Sequence, residues 1–168
     1  MLDLLDEDIS AGLYPTRAIS LTQPWCYFML SLPPEHLKRI ENRSWNSAVR
    51  GPVWVHASKK MTLDDFRSAI SFAMRAGVPA SLLPSSTASH LIPRGGIVGR
   101  FTITGVVRAD GGGALCPDRQ GRWYMGAYGY VVENARPVPF VPCKGALGFW
   151  GVPHNVLREL AEKEQISP

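Results

Sequence analysis

Helical periodicity and strand alternation occupy different parts of this chain, and that division constrains the fold more than any other feature. Apolar residues three and four apart, the mark of one helix face, recur at Trp25, Phe28, Met29 and Leu32. They recur again at Phe66, Ala69, Ile70, Ala73 and Met74. After residue 94 the text turns to β-rich runs at 95–110, 128–133 and 146–150, separated by glycine- and proline-rich breaks. The strand–helix–strand repetition of a parallel sheet is missing. This order predicts an α+β fold, a small, mainly antiparallel β-barrel flanked by helices.

The remaining elements follow from local chemistry. AISL (18–21) suits a short buried strand, and Thr22 and Pro24 suit the start of the first helix. Pro33-Pro34 stops it. PVWVHAS (52–58) alternates and is rich in β-formers. Thr62 with Asp64 and Asp65 opens the second helix, and Gly77-Val78-Pro79 ends it. The polar text from Ser81 to Pro93 reads as a surface loop. Asn134-Ala135-Arg136-Pro137 reads as a turn, Trp150 as a residue closing the barrel, and Val156, Leu157 and Leu160 as a short closing helix. At 168 residues the chain fits one domain, residues 17–168, preceded by an acidic arm over 1–16.

Composition narrows the function classes. Hydrophobic residues make up 45% and charged residues 19%, as in ordinary globular proteins. No apolar run approaches the roughly 18 residues of a membrane span, and the acidic MLDLLDEDIS lacks the basic-then-apolar order of a secretory leader. The expectation is a cytoplasmic monomer with no membrane association. Three cysteines, Cys26, Cys116 and Cys143, show no metal spacing, and His36, His90 and His154 add none, so neither metal nor cofactor is expected. The net charge of +4, from 18 basic and 14 acidic residues, permits a nucleic-acid partner. From Arg94 to Arg122 five arginines face only Asp110 and Asp118.

The polar residues of 19–56 crowd into a few places within apolar text, as the lining of a site would. On a strand Glu41 and Arg43 share one face, whereas Lys38 joins them only if the turn before it is irregular. Arg43 brings a rigid donor fork and Lys38 a point charge, both suited to phosphate, and Glu41 would orient them; a structural Glu41–Arg43 tie is the competing reading. Trp25 and Trp45 are candidate platforms for a base, although Trp25, on the apolar helix face, suits the core better than it suits stacking. Gln23 and Asn42 carry amides that can read a base edge or cap a helix and a turn. Arg50 can meet phosphate. His56 is either a structural histidine or a hydrogen-bond partner in the site. Tyr128, with Arg122, Trp123, Tyr124 and Tyr130, makes a second aromatic-basic cluster, and Lys144 stands before the last strand where it can meet a phosphate.

Ser20-Leu21-Thr22-Gln23-Pro24-Trp25, Glu41-Asn42-Arg43-Ser44-Trp45 and Arg50-Gly51-Pro52, with the terminal KGALGFW, resemble the ASCH domain family, small barrels of the PUA-like superfamily. The resemblance spans about residues 18–152. It implies a barrel whose cleft, near these blocks, takes RNA or single-stranded nucleic acid. Some relatives are instead amidohydrolases acting on N4-acylated cytidine, with lysine, threonine and arginine in their motif. The matching positions here are Lys38, Glu41 and Arg43, so glutamate stands where those enzymes have threonine. Two functions follow as expectations. In the first, Gln23, Trp25, Lys38, Asn42, Arg43, Trp45, Arg50, His56 and Tyr128 bind nucleic acid. In the second, Lys38 and Glu41 hydrolyse a modified nucleoside, with Glu41 as general base. A protein-interaction module is a third reading.

Overall fold

The computed structural model describes residues 2–166. Six strands form one curled sheet, a half-barrel: β1 (Arg17–Leu21), β2 (Ile40–Arg43), β3 (Gly51–Ala57), β4 (Gly96–Arg108), β5 (Tyr128–Pro142) and β6 (Phe149–Gly151). Their order is β2-β5-β4-β3-β1-β6. All neighbours run antiparallel except β1 and β3, where Ala18 faces Trp54 and Leu21 faces Ala57 in parallel. Four helices flank the sheet: α1 (Leu2–Ser10), α2 (Trp25–Leu30), α3 (Leu63–Arg75) and α4 (His154–Ile166).

Period-two alternation explains how both sheet faces are covered. Ile19, Val53, Val55, Phe101 and Ile103 point into the curl and pack on Cys26, Met29 and Leu30 of α2. Ala18, Trp54 and Ile97 point out and pack on Val156, Leu157 and Leu160 of α4. Burying each of those three side chains of α4 contributes roughly 1.5–3 kcal/mol. Trp54 is wholly buried, and its indole N–H donates to Pro15 O at 2.7 Å. A third cluster joins Phe28 and Trp123 to Ala69 and Ala73 of α3. There the expected helix start at Thr62 is closed by a capping box: Asp65 N donates to Thr62 Oγ1 at 3.0 Å, and Thr62 N donates to Asp65 Oδ2 at 3.4 Å.

Several expectations need correction. Within the expected arm, residues 2–14 form a helix and turn, with Ile9 and Tyr14 against the Trp54 cluster. Gln23 and Pro24 are joined by a cis peptide bond, and Thr22 makes no capping bond; Pro24 itself precedes the first helical residue. The loop at 81–93 contains two 3-10 turns, Ala80–Leu82 and Ser86–Leu91. The expected turn at Asn134–Pro137 is a bulge within β5. Thr102 faces Glu133 while Arg100 faces Arg136, so β5 carries one extra residue there, and Asn134 takes φ 52°. Asparagine tolerates that left-handed conformation, and prolines are accepted where the ladder is already broken. Further shifts between Ile97 and Gly99 and between Ile103 and Gly105 interrupt the ladder at two glycines of β4. The closing helix runs thirteen residues, longer than Val156–Leu160 suggests.

No strand ladder joins the two sheet edges, β2 and β6, among the described residues. Side chains join them instead. The Arg43 Nη2 group donates to Ser20 O on β1 at 2.8 Å, and Trp45, just past β2, meets Phe149 of β6 edge-on at 5.7 Å. Trp150 lies opposite Ala18 and anchors β6 through its indole N–H, which donates to Ser20 Oγ at 3.1 Å.

Candidate nucleic-acid interface

The seam between the sheet edges opens into two adjoining hollows that share Ser20, Arg43 and Ser58. The narrower, about 300 Å³, is lined by Trp25, Lys38, Glu41, Asn42 and Met125. The wider, about 820 Å³, is lined by His56, Lys59, Lys60, Lys144 and Leu147. A separate hollow of about 510 Å³ lies among α1, α4 and β5 around Leu4, Tyr14 and Ala161. Volume favours the wider hollow but not the narrower one; the gathering of charge is what marks both as one site.

Lys38 reaches the seam because the chain between Pro34 and Ile40 is irregular, as the face argument requires. Its own N–H donates to Phe28 O at 2.9 Å. The side chain is 1% exposed. Its ammonium donates to Ile40 O and to Glu41 Oε2 at 3.2 Å, lies 4.0 Å from Met29 Sδ and sits over Trp25 at 5.6 Å. Burial pulls the Lys38 pKa below the usual lysine range, and Glu41 opposes that shift without cancelling it. The other oxygen of Glu41 lies 3.1 Å from Arg43 Nε. That contact is an ion pair without a hydrogen bond, and the Nε–H has no acceptor of its own. One buried carboxylate thus sits between two cations, leaving net positive charge at the floor of the seam.

His56 ends β3, after a register shift between Val55 and His56, and turns to the wider hollow. Its Nε2 lies 3.0 Å from Cys143 O; a carbonyl only accepts, so Nε2 carries the proton. Nδ1 is then an acceptor and lies 3.1 Å from Ser20 Oγ, whose single proton also has Ala146 O within 3.0 Å. Burial pushes the His56 pKa below its ordinary value, and the bond to Cys143 O opposes this only partly, so the ring is neutral near pH 7. Cys26 is wholly buried, and burial raises its thiol pKa, which leaves it an inert core residue. No group of three histidine, cysteine, aspartate or glutamate side chains among the described residues could hold a metal ion.

The structure brings together Lys38, Glu41, Arg43, Trp25, Asn42 and His56 along the seam. It gives other work to the rest. Gln23 is buried, its Oε1 accepting from Tyr27 N at 3.2 Å and its Nε2 donating to Pro93 O at 3.1 Å, so both ends of the amide are engaged inside the fold and away from a ligand. Asn42 lines the narrow hollow, but it donates to Trp123 O at 2.9 Å and accepts from Met125 N at 2.8 Å. Trp45 does not line either hollow. It packs against Tyr130 and Phe149, with the Arg43 guanidinium 6.0 Å from its ring, and so supports Arg43 from behind. Trp25 is the indole that faces the seam. Arg50 closes its own loop by donating to Ser47 O and Val49 O at 3.0 and 2.8 Å. Tyr128 pairs with Arg43 in the sheet and packs against the core. Trp123 and Tyr130 of the second aromatic cluster are buried. The arginine run disperses: Arg94 donates to Lys59 O, Arg108 pairs with Asp110, and Arg122 donates to Glu35 O.

Sequence reasoning missed Lys59, Lys60 and Ser20. The signal for the lysines was present in HASKK, two consecutive cations one residue past a buried strand end. Ser20 looked like one more residue of a buried strand. Lys144 stands where the sequence suggested. Among the described residues none of Lys59, Lys60 and Lys144 is paired with an acid. No helix among the described residues is long and apolar enough to cross a membrane. No protein-family model matches the chain, and no curated protein matches it significantly.

Proposed function

We propose that this protein is an ASCH-type, PUA-like nucleic-acid-binding module that holds RNA or another single strand along the seam. One observation carries the reading. Arg43, Lys59, Lys60 and Lys144 surround one groove, whose wider part has no acidic residue in its lining, while the one acid of the narrow part already faces two cations. Such a groove attracts phosphate through exposed ammonium groups. Trp25 supplies a ring face at the narrow end, and Arg43 bridges the two hollows. Trp45 and Tyr128 act behind the surface, by holding Arg43 and β2.

The test is fluorescence anisotropy with a labelled 12-nucleotide RNA. Replacing both Lys59 and Lys60 by alanine, at exposed positions, weakens binding about tenfold at low salt and leaves the fold intact. Wild-type affinity in that double variant and in Arg43→Ala contradicts the reading.

A second reading is favoured by the depressed pKa of Lys38 beside the narrow hollow: hydrolysis of an N4-acylated cytidine. Against it, both oxygens of Glu41 already have cationic neighbours, and an attacking water has to displace one of them. Release of acetate from N4-acetylcytidine, lost in Glu41→Gln, decides for this reading; no turnover removes it.

A further inference from the structure

Leu147 is 97% exposed, at the tip of the loop that joins β5 to β6. An isolated exposed leucine needs no explanation. This one is unusual in its support. Cys143 N donates to Gly95 O at 3.1 Å, Cys143 O accepts from His56 Nε2, and Ala146 O lies 3.0 Å from Ser20 Oγ. Gly145 lies so close to the pair below it that an added Cβ would overlap the His56 ring and come within 2.8 Å of Ser20 Oγ. Gly148, at φ +66°, turns the chain back into β6. A bare apolar side chain is therefore held on a fixed mount, at the rim of a groove that also carries Lys59, Lys60 and Lys144.

We infer that Leu147 packs against the face of an unstacked base while Lys144 and the Lys59–Lys60 pair hold the flanking phosphates, so that the ligand is a single strand and not a duplex. This rests on the nucleic-acid reading above and adds to it a residue and a ligand class. The charge favours nucleic acid over a protein partner, because cations ring the leucine and no acid lines this part of the groove. The geometry favours single strands, because a duplex hides its base faces in the stack and offers the rim only phosphate. Apolar wedges beside basic residues are a general means of holding a base out of its stack. In this arrangement Ser20 and His56 are positioning residues: they touch the loop and not the ligand.

The experiment uses the full chain and a 12-nucleotide strand with one 2-aminopurine, free or annealed to its complement. Leu147→Ala, at an exposed tip, folds as wild type does. Wild type binding the single strand raises 2-aminopurine emission, since an aliphatic contact unstacks the base without quenching it. Leu147→Ala weakens that binding about fivefold, loses the emission rise and keeps the salt dependence, because no charge is removed. Lys144→Ala does the reverse, lowering the salt slope by about 0.7 while keeping the emission rise. Duplex binding is weaker and indifferent to residue 147. If Leu147→Ala matches wild type in affinity and emission, the inference falls and the proposed function stands. Wild type binding neither form overturns both. A dimer that Leu147→Ala dissolves, with nucleic-acid affinity unchanged, assigns the leucine to a protein contact and also overturns the inference.

Discussion

Replacing Glu41 by glutamine keeps the shape of the side chain and removes the charge that faces Lys38. The Lys38 ammonium is 1% exposed and would be left with neutral partners alone: Ile40 O, Met29 Sδ, the Trp25 ring and the introduced amide. At 3.2 Å and an effective dielectric of about 20, the lost attraction is about 5 kcal/mol. Breaking a buried pair from one side typically costs about 3–5 kcal/mol. The cost has a ceiling, because Lys38 can give up its proton. At pH 7 that takes about 4.6 kcal/mol from an ordinary lysine value. The expected loss is therefore about 3–4.5 kcal/mol in urea unfolding followed by tryptophan fluorescence. Its pH dependence has a fixed sign. Folded Lys38 has the lower pKa, so between that pKa and the unfolded value the unfolded chain holds the extra proton, and stability rises with pH. The rise from pH 7 to 9 is steeper in Glu41→Gln than in wild type, approaching about 1.4 kcal/mol per pH unit. The double variant Lys38→Met/Glu41→Gln recovers part of the loss, since the fully buried ammonium is gone and only Arg43, whose side chain is 20% exposed, is left without its carboxylate. A Glu41→Gln protein within about 1 kcal/mol of wild type at pH 7, with no steeper rise, would refute the charged, buried chain from Lys38 to Arg43.

Three further outcomes follow from the seam. Gly145→Ala lifts the 143–148 loop off Ser20 and His56, costs about 1–3 kcal/mol by overpacking and lowers RNA affinity, as read by thermal unfolding and anisotropy together. His56 has a folded pKa below its unfolded one, so stability falls as pH drops below about 6.5; His56→Gln, which keeps a donor for Cys143 O, flattens that decline in urea titrations at pH 7 and 5. Trp25→Ala opens a cavity against Phe28 and Phe72 and costs about 3 kcal/mol, in addition to weakening RNA binding; Trp45→Phe lowers affinity only through Arg43, an effect absent when Arg43→Ala is already present.

Elements governed by local rules were legible in the sequence. The helix start at Thr62 and the alternation of PVWVHA each depend on a few neighbouring residues. The 128–142 strand was not, because Asn134 and three prolines carry turn signals that only pairing with β4 overrides. In the site, the shared face of Glu41 and Arg43 was legible from their spacing, whereas Lys38 joins them only because the chain before β2 is irregular, a condition the spacing left open. The exchange of roles between the two tryptophans was not. Both sit beside polar text, and only the curl of the sheet sends Trp25 to the seam and Trp45 behind Arg43. Gln23 and Asn42 were read as free amides because their partners, Pro93, Trp123 and Met125, lie some seventy to eighty residues away. No local pattern announces bonds across that separation.

The salt dependence of single-strand binding tests the central claim most directly. Anisotropy of a labelled 12-nucleotide RNA between 50 and 200 mM NaCl measures how many phosphates the groove engages. Four cations, Arg43, Lys59, Lys60 and Lys144, predict that log K falls with log salt at a slope of about −3. A slope near zero, or no binding at 50 mM, would contradict a phosphate-holding groove at the seam.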